Sequence, residues 1–158
     1  MLVNSPVGPY VQITEVVQRG SGKRKHTGLD IKAELGTLVV LPFAGVVTRT
    51  NWSPRSNGNC VEVRYARGEV ARFLHLHEVD GAAAPGVRLA AGACVGSVGS
   101  TGHSIAPHLH YELRSRSGEV LDPFAVHGRG EAKVPPARQS EFAAVRANYW
   151  ALLGDGLD

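Results

Sequence analysis

The chain has 158 residues, of which 43% are hydrophobic and 20% are charged, and its formal net charge is +3. This length and composition are typical of one globular domain with its own core, and they exclude collagen-like, disordered and membrane-spanning chains. The only compact cationic run is Lys23-Arg24-Lys25, so we expect a solvated loop there and no nucleic-acid binding.

The first residues, Met1 to Pro6, lack both the basic region and the apolar core of a secretory signal peptide. We therefore expect either that a leader has been removed or that the protein leaves its cell by another route. Further along, the two cysteines, Cys60 and Cys94, could form one disulfide or remain two free thiols, and we favour free thiols. They are too few for a cysteine-based zinc site.

Short apolar runs separated by glycine and proline predict a mainly β protein. We expect strands at 38–41, 45–48, 60–65, 70–76, 87–89, 94–98 and 108–114. The strands at 60–65 and 70–76 should form a hairpin around a turn at 66–68. Many short strands at close spacing favour an antiparallel sheet that is folded into a sandwich or half-barrel.

The C-terminal part follows a different pattern. After a domain at 1–126 and a proline-containing linker at 127–139, apolar side chains recur at helical spacing from Ser140 onward. Ser140 is a suitable N-cap and Gly154 a suitable C-cap. We expect an amphipathic helix within 140–158 that packs on the domain itself or on a partner protein.

Two pairs of histidines have a spacing that places both rings on one strand face. His108 and His110 would lie about 7 Å apart, at a rise of about 3.3 Å per residue. Burying both rings would require partners for all their nitrogens, which favours metal binding or catalysis over a structural role. His75 and His77 have the same spacing, so spacing alone does not decide which pair binds a metal.

A histidine and an aspartate lie four residues apart near the start of the chain. Gly28 stands between His26 and Asp30 and predicts a turn or extended loop rather than a helix. Zinc accepts imidazole and carboxylate ligands, and a catalytic zinc ion keeps three protein ligands and one open position for water. His26, Asp30 and one histidine of the pair at 108 and 110 would supply such a set.

Six segments in order make this chain similar to the M23 metallopeptidases of the lysostaphin or LytM type. The resemblance runs from about Ser5 to Phe124. Its segments are HTGLD at 26–30, AGVV at 44–47, GNCV at 58–61, FLHL at 73–76, GSVGSTG at 96–102 and PHLHYELR at 107–114. The resemblance implies an antiparallel β-sandwich or half-barrel with the duplicated hybrid motif of LytM-like domains.

The same resemblance implies a role for each matching residue. His26, Asp30 and His110 match the family's zinc ligands. His108 matches a catalytic residue that takes the proton of the nucleophilic water, and His75 matches a second catalytic residue that stabilises the tetrahedral intermediate. The pattern gives no role to His77 or His103, which we expect at the surface or behind the ligands.

The resemblance further implies a zinc-dependent endopeptidase (Zn2+) whose partner is a peptidoglycan peptide, in the periplasmic or extracellular cell-wall space. Two departures are expected to affect substrate fit: Ser104-Ile105-Ala106-Pro107 replaces the more usual Ser-Thr-Gly-Pro, and Phe73 replaces a tyrosine. One alternative is an inactive relative that binds wall or an amidase, although such proteins typically lack a zinc ligand. Another is a phage or prophage particle component that reaches the wall by that route.

Overall fold

The computed structural model describes residues 5–7, 12–14 and 26–128, with the backbone alone described at 12–14. The cationic run at 23–25, most of the predicted linker and the predicted C-terminal helix lie outside the described residues. What the sequence predicts for these segments therefore remains a prediction.

Within the described residues, every strand pairing is antiparallel, and the strands form two sheets. The strands are β1 (Gln12–Thr14), β2 (Leu29–Lys32), β3 (Leu38–Val40), β4 (Gly45–Thr50), β5 (Asn59–Tyr65), β6 (Val70–Leu76), β7 (Glu78–Val79), β8 (Arg88–Leu89), β9 (Cys94–Ser97), β10 (Leu109–Arg114) and β11 (Val120–Leu121). Two short helices, α1 (Pro54–Asn57) and α2 (Pro123–His127), complete these elements. The mainly β antiparallel fold expected from the sequence is confirmed.

The large sheet has the strand order β1-β2-β10-β6-β5-β4-β8, with β11 paired to the far part of β10, and the small sheet has the order β3-β9-β7. The hairpin predicted between β5 and β6 is present. The neighbouring strands β3 and β4, which follow one another around Pro42, lie in different sheets.

The hydrophobic core covers one face of the central strands. Val61, Phe73 and Tyr111, from β5, β6 and β10, are fully buried and lie opposite one another in register. Alternate residues of a strand point to opposite faces, so their neighbours in sequence must form the other face of the sheet. That other face carries the polar residues that define the candidate site.

Three of these polar residues form a charged row across β5, β6 and β10. Glu62, Arg72 and Glu112 pair in register. Arg72 donates to Oε2 of Glu62 at 2.8 Å and to Oε1 of Glu112 at 2.7 Å. Arg49 and Arg114 donate to the same two oxygens, Oε2 of Glu62 and Oε1 of Glu112. Both carboxylates are buried and ion-paired, so charge-assisted hydrogen bonds hold the row in place.

Both cysteines are free thiols, Cys60 buried in β5 and Cys94 half-buried in β9. None of the helices in the described part of the chain has the length and apolar composition needed to span a bilayer.

Candidate metal centre

Two adjacent strands bring together residues that lie 80 positions apart in sequence. Strands β2 and β10 are antiparallel neighbours, and Asp30 pairs directly with His110. His26 lies in the loop that leads into β2. The structure thus groups His26, Asp30 and His110, and their candidate ligand atoms all lie within 4.8 Å of one another.

The three side chains converge on one point. Oδ1 of Asp30 lies 3.0 Å from Nε2 of His26 and 2.8 Å from Nδ1 of His110. Ligand atoms around a tetrahedral zinc ion bound at about 2.0 Å are separated by about 3.3 Å, so small adjustments would admit a metal. Nε2 of His26 is buried, and although it lies close to Asp30 it makes no hydrogen bond of good geometry among the described residues. A buried imidazole nitrogen that lies beside a carboxylate and a second imidazole without a well-formed hydrogen bond fits a cation site.

The loop before β2 packs closely over β10. A Cβ atom on Gly28 would lie 2.5 Å from the carbonyl oxygen of Tyr111 and 2.8 Å from Nε2 of His110. Only glycine fits between these atoms without a shift of the backbone. The hydroxyl of Thr27 donates to Oε2 of Glu112, which ties the same loop to the charged row. Gly28 and Thr27 therefore hold His26 over the strand that carries His110.

The carboxyl of Asp30 is ionised over the whole physiological range. Burial would raise its pKa, but the hydrogen bond from His110 and the nearby ring of His26 outweigh that effect and lower the pKa from 3.8 to about 2. An ionised carboxylate beside two imidazoles is a suitable ligand set for a divalent cation.

Two further histidines face this group. The ring of His75 lies 5.0 Å from the ring of His108 and 6.1 Å from that of His110, measured between centroids. Nε2 of His108 lies 3.7 Å from Oδ1 of Asp30. The structure therefore brings together all five residues that the resemblance assigned to the site.

Both of these outer rings are held through Nδ1 by carbonyl oxygens of one loop. Nδ1 of His75 lies 2.9 Å from the carbonyl oxygen of Thr101, and Nδ1 of His108 lies 2.8 Å from that of Ala106. A carbonyl oxygen only accepts, so each Nδ1 carries the hydrogen and each Nε2 is free to accept a proton. Burial lowers the pKa of His75 below 6.5, while its bond to Thr101 opposes that change.

The other residues singled out in the sequence lie outside this group of five. His77 and His103 are exposed, as expected for residues without an assigned role. Phe73 is fully buried and packs against Tyr111, so its replacement of a tyrosine alters core packing rather than an exposed contact. Ile105, in contrast, is fully exposed in the loop that holds His108.

Sequence reasoning missed three contacts around the site: the charged row, the bond between Thr27 and Glu112, and the contact of the Thr101 carbonyl oxygen with His75. Glu112 had a visible signal, because it lies two residues after His110 and so on the same strand face. His127 was also missed: it is buried in α2, and its Nε2 lies 2.9 Å from the hydroxyl of Tyr111.

Comparisons with known proteins identify the family. A family model described as Peptidase family M23 matches residues 24–123. The chain is 35% identical over 130 residues to the DD-carboxypeptidase/endopeptidase Mpg of Neisseria meningitidis. This alignment covers 82% of this chain and 29% of Mpg. It is 31% identical over 121 residues to the peptidoglycan DD-endopeptidase ShyA of Vibrio cholerae, covering 77% of this chain and 27% of ShyA. The chain thus spans less than a third of these curated relatives.

Solved structures show the same fold. The catalytic domain of EnpA, a prophage-encoded M23 protein of Enterococcus faecalis, is 30% identical with a TM-score of 0.67 and covers 77% of this chain and 95% of that domain. The catalytic domain of the antimicrobial peptidase lysostaphin from Staphylococcus simulans is 28% identical with a TM-score of 0.61, over 78% of this chain and 90% of that domain.

Proposed function

The chain belongs to peptidase family M23, and we propose that it is a zinc-dependent endopeptidase that cleaves peptide bonds in peptidoglycan. The observation that carries the proposal is the convergence of His26, Asp30 and His110 on one point beside two further imidazoles. His26, Asp30 and His110 would hold the zinc ion, and His108 and His75 would act on the substrate.

A bound zinc ion would supply a water of lowered pKa and polarisation of the scissile carbonyl. His108 presents Nε2 on the side of Asp30 and accepts the proton of the attacking water there. The same nitrogen then gives that proton to the leaving amine. His75 takes a proton from solvent at Nε2 as negative charge develops on the carbonyl oxygen, since that charge offsets the burial that lowers the pKa of the ring, and it donates this hydrogen to the oxygen.

The names of the relatives suggest which bond to test first. Mpg and ShyA, at 35% and 31% identity, carry the names of DD-endopeptidases. A cross-link between two stem peptides is therefore our proposed substrate, ahead of a glycine-rich bridge. Such a substrate places the protein in the periplasmic or extracellular cell-wall space, with secretion or phage delivery as the routes to it.

Digestion of purified peptidoglycans with different cross-links, followed by mass analysis of the products, tests the proposal. We expect the zinc-loaded protein to release uncross-linked muropeptides from directly cross-linked wall. His108→Ala should lower the cleavage rate by at least about 100-fold, because it removes the proton acceptor. His77→Ala is the matched control, since His77 is exposed and takes no part in the site.

The metal is measured separately from cleavage. The purified protein should hold one zinc ion per chain, and His110→Ala should lose it. Stoichiometric zinc without cleavage of any wall would favour the alternative of an inactive module that binds wall or an amidase. A protein that binds no zinc would refute the ligand assignment itself.

A further inference from the structure

His75 reaches the site through an irregularity in strand β6. Between Phe73 and Leu76 this strand has one residue more than its partner β5 has between Val61 and Asn59. An extra residue on one strand of an antiparallel pair is a β-bulge, and bulges beside active sites re-aim side chains. His75 lies in this bulge, and its φ of 63° is in the left-handed region.

The bulge changes the face on which His75 lies. In a regular strand it would share a face with Phe73, which is fully buried in the core. Its ring instead lies 5.0 Å from the ring of His108, among the polar residues of the site. A left-handed conformation is sterically unfavourable at a residue other than glycine, so neighbouring contacts must hold it.

Thr101 makes three hydrogen bonds to this bulge and its surroundings. Its carbonyl oxygen lies 2.9 Å from Nδ1 of His75. Its hydroxyl donates to the carbonyl oxygen of Leu76 at 2.7 Å and accepts from the backbone N–H of Asn59 at 2.9 Å. One residue thus binds the ring of His75 and both members of the residue pair, Leu76 and Asn59, that follows the extra residue.

Thr101 is itself fixed by two close backbone approaches. A Cβ atom on Gly58 would lie 2.2 Å from Oγ1 of Thr101, and one on Gly102 would lie 2.2 Å from the backbone nitrogen of Gly58. Both glycines also have positive φ angles, 65° and 68°. The loop therefore fits against the start of β5 in one arrangement, which defines where the carbonyl and hydroxyl of Thr101 point.

We propose that Thr101 is the positioning residue for His75: it holds the bulged ring in the site and keeps the hydrogen on Nδ1, so that Nε2 faces the reacting atoms. The inference rests on the proposed function only in that His75 is taken to act on the substrate. The hydroxyl holds the backbone of the bulge, and the carbonyl sets the tautomer of the ring.

Two substitutions separate the hydroxyl from the rest of the side chain. Thr101→Val keeps the shape and removes both hydroxyl bonds, while Thr101→Ser keeps the hydroxyl. A catalytic group displaced by about 1 Å costs about 100-fold in rate, so we expect Thr101→Val to lower kcat by about that factor with little change in KM. Thr101→Ser should recover most of the lost activity. Thr50→Val, on β4, controls for the same exchange elsewhere in the sheet.

The second readout does not use cleavage. In zinc-loaded protein carrying ¹⁵N-labelled histidine, NMR at a pH above neutrality reports which ring nitrogen of His75 bears the hydrogen, with His75→Gln assigning the signal. We expect the Nδ1–H form alone in the unmodified protein and a mixture of both forms in Thr101→Val. Zinc content should stay at one ion per chain in both.

Each outcome of these measurements supports or contradicts the proposed role of Thr101. A His75 ring with its hydrogen on Nε2 in the unmodified protein would overturn the proposal without any variant, even where Thr101→Val fails to fold. Unchanged kcat and tautomer in a folded Thr101→Val would overturn it as well. If the unmodified protein cleaves no wall, the proposed function fails, while the tautomer measurement still tests Thr101.

Discussion

The bond between Thr27 and Glu112 should contribute to zinc affinity, although neither residue is a candidate ligand. We expect Thr27→Val to weaken zinc binding, because the hydroxyl that it removes ties the loop carrying His26 to β10. Glu112 remains held by Arg72 and Arg114 after the change, so the loss falls on the loop rather than on the carboxylate.

The size of the effect follows from the type of bond. A hydrogen bond to a charged group contributes about 1.5–3 kcal/mol, and every 1.4 kcal/mol corresponds to a tenfold change in Kd. If the whole contribution is lost from the metal-bound state, the zinc Kd should rise by about 10- to 100-fold, the range usual for residues that orient metal ligands. Because Thr27 is partly exposed, we expect a value near the lower limit.

Competition with a chromogenic zinc chelator measures this Kd, and thermal unfolding of the zinc-free protein shows whether the fold is intact. Thr27→Ser is the matched control, since it keeps the hydroxyl and loses only a methyl group. Wild-type zinc affinity in a folded Thr27→Val would refute the reasoning. Equal weakening in both variants would show that zinc affinity responds to any change of this side chain, because Thr27→Ser keeps the hydroxyl that bonds to Glu112.

Two further substitutions test the charged row and the loop between β9 and β10. The pKa of Glu62 is lowered because hydrogen bonds from Arg49, Thr48 and Arg72 outweigh its burial. The ionised carboxylate therefore stabilises the fold above pH 4.5, and this stabilisation is lost as the pH falls through the folded-state pKa. Glu62→Gln should make the free energy of unfolding, measured with denaturant, depend less on pH in the acid range. Gly99→Ala should abolish cleavage and lower Tm, because the new Cβ would lie 2.1 Å from the backbone nitrogen of His77, whereas Gly81→Ala, with open space around it, should leave both unchanged.

The strands were predictable because their signal is local. The alternation in 60–65 and 70–76 and the turn between them define a hairpin without reference to the rest of the chain. The side of β10 on which His110 lies follows from the same period of two. The pairing of Asp30 with His110 is different, since it joins residues 80 positions apart and depends on which strands become neighbours.

The position of His75 could not be predicted from alternation at all. A regular strand would place it with Phe73, and only the extra residue in β6 turns it toward His108. The bulge is stabilised by a loop about 25 residues away in sequence, through Thr101. Local pattern therefore identifies the strand and misses the one residue whose direction matters for the chemistry.

The partner of Nδ1 separates the histidine roles better than spacing does. His108 and His110 stand two apart, yet Nδ1 of His108 faces the carbonyl oxygen of Ala106 and Nδ1 of His110 faces the carboxylate of Asp30. A carbonyl keeps the hydrogen on Nδ1 and leaves Nε2 for proton transfer, whereas a carboxylate beside Nδ1 suits a shared cation. By this criterion His75 belongs with His108, through the carbonyl oxygen of Thr101. We infer that the loop supplying both carbonyls, rather than the strands, defines which imidazoles handle protons.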